Sequence, residues 1–526
     1  MYGLRQPKPQ VSQAHSMPAP VGGINDLDGL AVMGEQFMID CMNFFPDTGS
    51  LNVRLGYREH ITGLNLPVKT IMEYHALNGN FQVYAATDAG IYFINPSADA
   101  PAPVKASTNG QYEYVNYSTP AAHYLVAVNG QQSVLWNGTA WIDFTLVATP
   151  VAPGEIKGVN PNLFTSVLVH KGRLWFTTAG SMTAWYLPID SVGGEAKPFF
   201  LGSLFKRGGR LSTLERWSVD TGEGLDDRIL FITTAGEIAS YSGDDPSNAA
   251  DWQLDSTYFV GAPLGPRATA DYGGDVIMLT RRGLLPLSTL VQGSIDQVMY
   301  SNVLTRRISR TVNQLTRPTT QPYPVEVNFH PNLTAVIINI YDWINDRKIQ
   351  LVMNALTGAW GKWDWPVRTI KSVDRTIYMG TDDGRVLLVA GTIDNVLRDG
   401  TGGDPIESYV FGAYSYLGDN TSNKHAKFMR PTFQTEVKPS FVMRALPDFR
   451  LDPFLQQPAP SLAKGNAKWD LSFWDQTNWA GLEQVYRPWV SANVLGYALA
   501  WQLRVSTSTL LAIASIQWVY EPGGLV

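Results

Sequence analysis

The sequence predicts a mainly β protein: a β-propeller-like core, an additional β-rich platform or C-terminal domain, and one inserted amphipathic helix. Three observations predict it. Trp, Tyr and Phe number 16, 23 and 21 in 526 residues, and aromatic side chains suit a pleated, half-buried surface. Gly and Pro number 47 and 33, enough to punctuate many turns. A strand–turn–strand unit recurs about every 40–60 residues, the spacing of propeller blades.

Residues 1–23 are rich in Pro, Gln, Ala and Ser without periodicity and predict a flexible N-terminal arm. Residues 24–69 predict a helix-hairpin segment. In "EQFMIDCMNFF", Phe37, Met38, Cys41, Met42 and Phe45 are spaced for about two helical turns. Pro46 and the following "DTG" stop that helix, and Phe44 and Phe45 are expected to anchor it. Cys41 on such a face reads as a buried small residue rather than a reactive thiol. "SLNVRLGYRE" then alternates as a strand, with Leu51, Val53, Leu55 and Tyr57 on one face.

Residues 70–395 predict the propeller-like domain. Seven hairpin patterns start at Phe81, His123, Gly172, Arg228, Gly274, Thr334 and Arg375. One hairpin cannot bury both faces, whereas radially stacked sheets can, and they leave only short edges. Five to seven blades are expected, with an irregular β-sandwich as the alternative. The stretch 294–317 interrupts the pattern. Leu304, Ile308, Val312 and Leu315 form an amphipathic stripe, and Ser294 with Gln297 has capping-box spacing. Arg306, Arg307, Arg310 and Arg317 decorate this helix, a candidate interface with an acidic neighbour or with DNA. Residues 396–430 read as a loop-rich linker. Residues 431–526 resume strands, as a C-terminal β domain or as part of the platform.

Charged residues make up 16%, against about 25% in ordinary soluble chains. Such a chain is expected to cover much of its surface with other copies or partners. The single cysteine permits no internal disulfide. The start of the sequence lacks the apolar stretch of a signal peptide, and no run approaches the ~18 apolar residues of a membrane span. The net charge of −6 argues against a grip built on phosphate neutralisation.

No catalytic set is legible. The histidines at 15, 60, 75, 123, 170, 330 and 425 show none of the zinc-ligand spacings. There is no GxSxG elbow and no phosphate loop, and "DGTGGDP" from Asp399 reads as a flexible loop. "SGDDPSNAADW" (242–252) is similar to the Asp-box turn of sialidase propellers. Its spacing differs and the inner glycine is missing, so a structural turn is expected. The sequence therefore predicts no enzyme, metal or cofactor. A carboxylate pair suited to glycoside hydrolysis cannot be located from sequence.

Several segments, in order, resemble the tail nozzle proteins of short-tailed bacteriophages, also called tail tubular protein B or packaged-DNA stabilisation proteins. They are "GGIND", "NFFPDTGSLNVRLGY", "FKRGGRL", "YSGDDPSNAADW", "GAPLGPRATADYGGDVIMLTRRGLLPLS", "VMNALTGAWGKWDW" and "GYALAWQLRVS…IQWVYEPGG". The resemblance covers most of 20–526 and leaves out the N-terminal arm. It implies a virion structural protein, made in the host bacterial cytoplasm, that assembles as a ring of typically six copies. The ring would dock on the portal-adaptor protein, meet tail fibre, spike or needle proteins, and retain and deliver the genome. DNA would pass its channel without sequence-specific binding. The implied platform combines N- and C-terminal segments. Phe44, Phe45, Pro46, Arg54 and Arg58 are the assembly candidates in its opening segment. A host-surface glycan-binding or depolymerising tail propeller is the alternative function.

Overall fold

The computed structural model describes residues 11–220, 225–290, 303–318, 321–459 and 484–523. The chain divides into two compact units. Unit 1 comprises 1–58, 350–364 and 390–526, and unit 2 comprises 59–349 and 365–389. The linear division expected from sequence is thereby corrected: both chain ends and an internal hairpin build one unit.

Among the described residues unit 2 carries seven propeller-like blades, and to the sixth it contributes Glu326–His330 and Ala335–Asp342. The hairpins read from the sequence supply the second and third strands of the blades, from Phe81–Ala86 with Gly90–Phe93 in blade 1 to Thr376–Gly380 with Val386–Val389 in blade 7. The innermost strands of blades 1 to 7 are Thr70–His75, Glu113–Ser118, Phe164–His170, Leu211–Asp220, Thr269–Tyr272, Glu326–His330 and Thr369–Val373. Successive blades pack side by side around the array, and blade 7 packs on blade 1, so the ring closes. Closure also uses the N-terminal side of the chain, because Tyr57–Thr62 is a strand of the blade 7 sheet.

The sequence dictates this stacking because each sheet is apolar on both faces. Met72, Tyr84, Leu125 and Val134 form the core between blades 1 and 2, and Phe164 and Phe176 stack with Leu135 and Ile156 nearby between blades 2 and 3. Ile61, Val83, Val373 and Val386 seal blade 7 to blade 1. Each such interface removes several large side chains from water, at roughly 1.5–3 kcal/mol apiece.

The inserted helix is shorter than its sequence pattern. A 3-10 turn at Arg306–Ile308 leads into an α-helix at Ser309–Leu315. Ile308, Val312 and Leu315 are buried as the stripe predicts. The capping pair Ser294 and Gln297 lies outside the described residues.

Among the described residues, two large antiparallel sheets lie in unit 1. In the first, Leu511–Pro522 pairs with Lys424–Thr435 on one side, and with Gln13–Pro18 and Leu51–Val53 on the other. The second runs Met38–Met42, Asp404–Gly412, Leu499–Thr507, Ser440–Pro447. Phe433 of the first sheet packs on Phe441 of the second, with ring centroids 5.1 Å apart.

Three expectations are corrected here. Residues 13–18 form a paired strand with Met17 fully buried, so the flexible arm does not extend through them; residues 1–10 lie outside the described residues. The 396–430 linker supplies two principal strands instead. The helix expected over 37–45 is two strands, Met38–Met42 and Phe44–Pro46. A bulge between Met38 and Asp40 and a left-handed Asn43 (φ 62°) break the alternation. The resulting apolar spacing imitates a helix.

Candidate functional site

The assembly candidates of the opening segment lie in unit 1. Phe44–Pro46 pairs with Leu51–Val53. Phe44 and Pro46 are buried, and Phe45 is half-buried against Trp363, 5.9 Å between centroids. Gly361 lets the 350–364 hairpin approach: a Cβ there would meet the Phe44 carbonyl oxygen at 2.5 Å. Pro46 accepts at its carbonyl from Asn354 Nδ2 at 3.1 Å, so it ends no helix but ties the hairpin down.

Arg54 is the electrostatic staple of this region. The residue is 4% exposed, and its guanidinium donates to both Asp394 oxygens at 2.7 Å, to Asp364 at 3.1 Å and to Asn43 Oδ1 at 2.8 Å. Burial disfavours its charge, and the two carboxylates more than restore it. Asn43 Nδ2 donates onward to the Glu407 carbonyl at 2.7 Å. Nearby, Lys362 pairs with Asp40, beneath the buried Cys41. Residues 43–54, 364, 394 and 407, distant in sequence, are thus joined through the buried Arg54 guanidinium and Asn43. Of the five candidates only Arg58 presents an exposed side chain, while Phe44, Pro46 and Arg54 are buried within unit 1.

Unit 2 has a central cavity of about 510 Å³ lined by the inner strands of all seven blades. Arg267, from blade 5, reaches across one end. It donates to Glu113 at 2.8 Å, Glu326 at 2.6 Å, the Thr70 hydroxyl at 2.7 Å, and the carbonyls of Tyr112 and Lys69 at 2.6 and 3.0 Å. One guanidinium therefore ties blade 5 to blades 1, 2 and 6. Glu326 also accepts from the Thr369 hydroxyl at 2.9 Å, which adds blade 7. Burial opposes the Arg267 charge, but Glu113 and Glu326 hold it firmly protonated.

Elsewhere in the cavity Lys371 reaches Glu73 at 3.5 Å and lies over the Tyr114 ring. Burial pushes the Glu215 carboxyl up to about 7, with Glu113 and Asp271 adding to the rise and the Thr269 hydroxyl opposing it. Glu73, Glu113, Glu215, Asp271 and Glu326 outnumber Arg267 and Lys371, so the lining is acidic. Sequence reasoning missed this hub. Its charged members come from six blades distant in sequence, and no local spacing marks them.

Arg306, Arg307 and Arg310 are exposed on the helical insertion, as its pattern predicts. The 242–252 segment is a structural turn: Asp251 accepts from the amides of Asp244 and Asp245 at 2.9 and 2.7 Å, and Trp252 is buried. No helix among the described residues is long and apolar enough to cross a membrane.

No family model and no curated protein matches the chain. Among solved structures, the chain is similar to the BBS1N chain of a complex with ARL6DN, at 11% identity and TM-score 0.39, covering 65% of this chain and 99% of that one. It is likewise similar to Raptor of Chaetomium thermophilum, at 9% identity and TM-score 0.39, covering 64% of this chain and 29% of that one. A putative one-component system of B. thetaiotaomicron matches through its extracellular domain, at 11% identity and TM-score 0.37, covering 64% of this chain and 40% of that one.

Proposed function

We propose that this protein is a structural component of a short-tailed phage virion. In this reading it forms a nozzle ring, six copies in the family it resembles, below the portal-adaptor complex. The observation that carries the reading is the make-up of unit 1. The resemblance implies a platform built from both chain ends, and unit 1 joins 1–58 and 390–526 with the hairpin 350–364. The segments "NFFPDTGSLNV", "GAWGKWD" and "ALAWQLRVS" meet within it.

The same reading assigns the DNA path to the lumen of the ring. The propeller cavity holds about 510 Å³ and is crossed by Arg267. It cannot admit a duplex whose major groove alone is about 12 Å wide. A lumen that shares the net negative charge of the chain would repel phosphates and favour sliding over binding.

Electron micrographs of the purified full chain test the proposal. Closed rings with a central channel, and binding of those rings to a purified portal-adaptor assembly, are expected. A chain that stays monomeric alone and with the adaptor would overturn it. Release of sugar from host capsule or lipopolysaccharide would favour the glycan-degrading alternative.

A further inference from the structure

The first sheet of unit 1 carries an outward face that is aromatic and basic at once. Strand Lys424–Thr435 alternates in burial after its bulge at 426–428, turning Phe428, Arg430 and Thr432 away from the core. Beside them stand Trp489 and Leu495, 53% and 59% exposed. Phe428 meets Trp489 edge-on at 6.1 Å, and the Arg430 guanidinium lies 4.4 Å over the Trp489 ring. Arg430 and Arg487 both lean on the neutral Gln517 side chain, at 3.0 and 3.4 Å. Neither has a carboxylate partner among the described residues.

The same unit exposes a segment of opposite character. Residues 26–32, "DLDGLAV", expose Leu27, Asp28 and Val32, the last at 79%. Asp28 accepts from Asn25 Nδ2 at 2.7 Å and meets no cation among the described residues. The two sets are complementary: two exposed rings with uncompensated arginines, and aliphatic side chains flanking an uncompensated carboxylate. A face and its complement at different places on one chain make a heterologous contact, which closes into a ring when its rotation divides a full turn.

We propose that the Phe428–Trp489 face of one copy docks on the 26–32 segment of the next copy, with Arg430 facing Asp28. The inference rests on the ring reading above. Trp and Arg dominate the energetic centres of interfaces, and a central residue carries at least a tenfold share of the affinity. Apolar Leu495 and Val485 on the same face favour a protein occupant over nucleic acid, whose recognition relies on stacking and phosphate charge.

The test is mass photometry and light scattering of the full chain across concentration, with folding of each variant checked by circular dichroism melts. Trp489→Ala should raise the concentration at which assemblies dissociate by about 30-fold or more. Leu495→Lys, at an exposed position, is the second variant should the first fold poorly. Trp343→Ala, on an exposed hairpin tip of unit 2, should leave assembly unchanged. Arg430→Glu and Asp28→Arg should each weaken assembly, and the two together should recover at least tenfold. Wild-type protein that never assembles removes the ring reading itself. Wild-type assembly that Trp489→Ala and Leu495→Lys leave intact overturns this inference alone, as does a charge swap without recovery. Single-stranded oligonucleotide binding lost in Trp489→Ala, with assembly unchanged, would reassign the face to nucleic acid and overturn it too.

Discussion

Replacing Arg267 by Met removes a side chain that spans the propeller hub. The variant keeps much of the volume but loses five hydrogen bonds, to Glu113, Glu326, Thr70, Tyr112 and Lys69. Glu326, 4% exposed, is left without its counter-charge. Removing one partner of a buried ion pair costs about 3–5 kcal/mol, because the other stays buried. Unit 2 has about 300 residues, so its unfolding entropy near 60 °C is about 0.6 kcal/mol/K. The expected fall in melting temperature is then about 5–8 °C, read by differential scanning calorimetry as a shift of one transition. The double variant Arg267→Met/Glu326→Gln should recover part of the loss, since it no longer buries a charge. Lowering the pH should also narrow the gap between Arg267→Met and wild type, as the stranded Glu326 takes up a proton. A shift below about 1 °C, with no coupling in the double variant, would refute the view that the hub is held electrostatically.

Other perturbations follow from the same geometry. His170 and His330 are buried, their ring nitrogens meet no hydrogen-bond partner among the described residues, and burial pulls each down to about 4. The unfolded chain binds these protons first, so stability should fall as pH drops from about 6.5 to about 4, by about 3 kcal/mol per ring; the double variant His170→Phe/His330→Phe should flatten that part of the melting-temperature profile. Phe44→Ala should cost about 3–5 kcal/mol in urea unfolding because Phe44 is fully buried, and Phe45→Ala clearly less, so equal losses would contradict the burial pattern. The Cys41 thiol is pushed up to about 12, by burial first and then by Asp40; it should resist Ellman's reagent in the native state and react at once in denaturant.

The seven hairpins were legible because their signals are local. Each pairs a turn of Gly, Asn or Asp with two apolar strands, and the structure uses every one as the second and third strands of a blade. The innermost strands were harder to read. They face a polar cavity, so Glu113, Glu215 and Lys371 interrupt what would otherwise be apolar runs. The opening segment misled for a definable reason: a bulge plus a left-handed residue shifts the period of two, and both faces are buried, so apolar residues fall at helical intervals. Gly56 was a further trap. The run that reads as one strand through Tyr57 is cut there into Leu51–Val53 and Tyr57–Thr62, which join different sheets. Residues 396–430 read as linker because Gly, Asp and Asn are dense around Asp399 and Asp419. Those turns bracket strands rather than replace them. Arg54 was flagged, but its partners Asp364 and Asp394 lie more than 300 positions away, beyond any local pattern.

The strand Tyr57–Thr62 has a consequence for how the protein is made. It leaves the ribosome early, yet the blade it completes is not finished until residue 389 has been synthesised. Closing a loop of about 320 residues costs about 2 kcal/mol more in chain entropy than closing one of 30, and contacts so far apart in sequence slow folding. During translation the first six blades can stack while the ring stays open, with the apolar edge of blade 1 waiting. Unit 1 waits longer still, because Gln13–Pro18 pairs with residues 515–520. A nascent chain therefore holds no finished first sheet of unit 1 until Leu511–Pro522 has emerged. Birth order thus delays any association through that sheet until more than 500 residues of this sequence have been made.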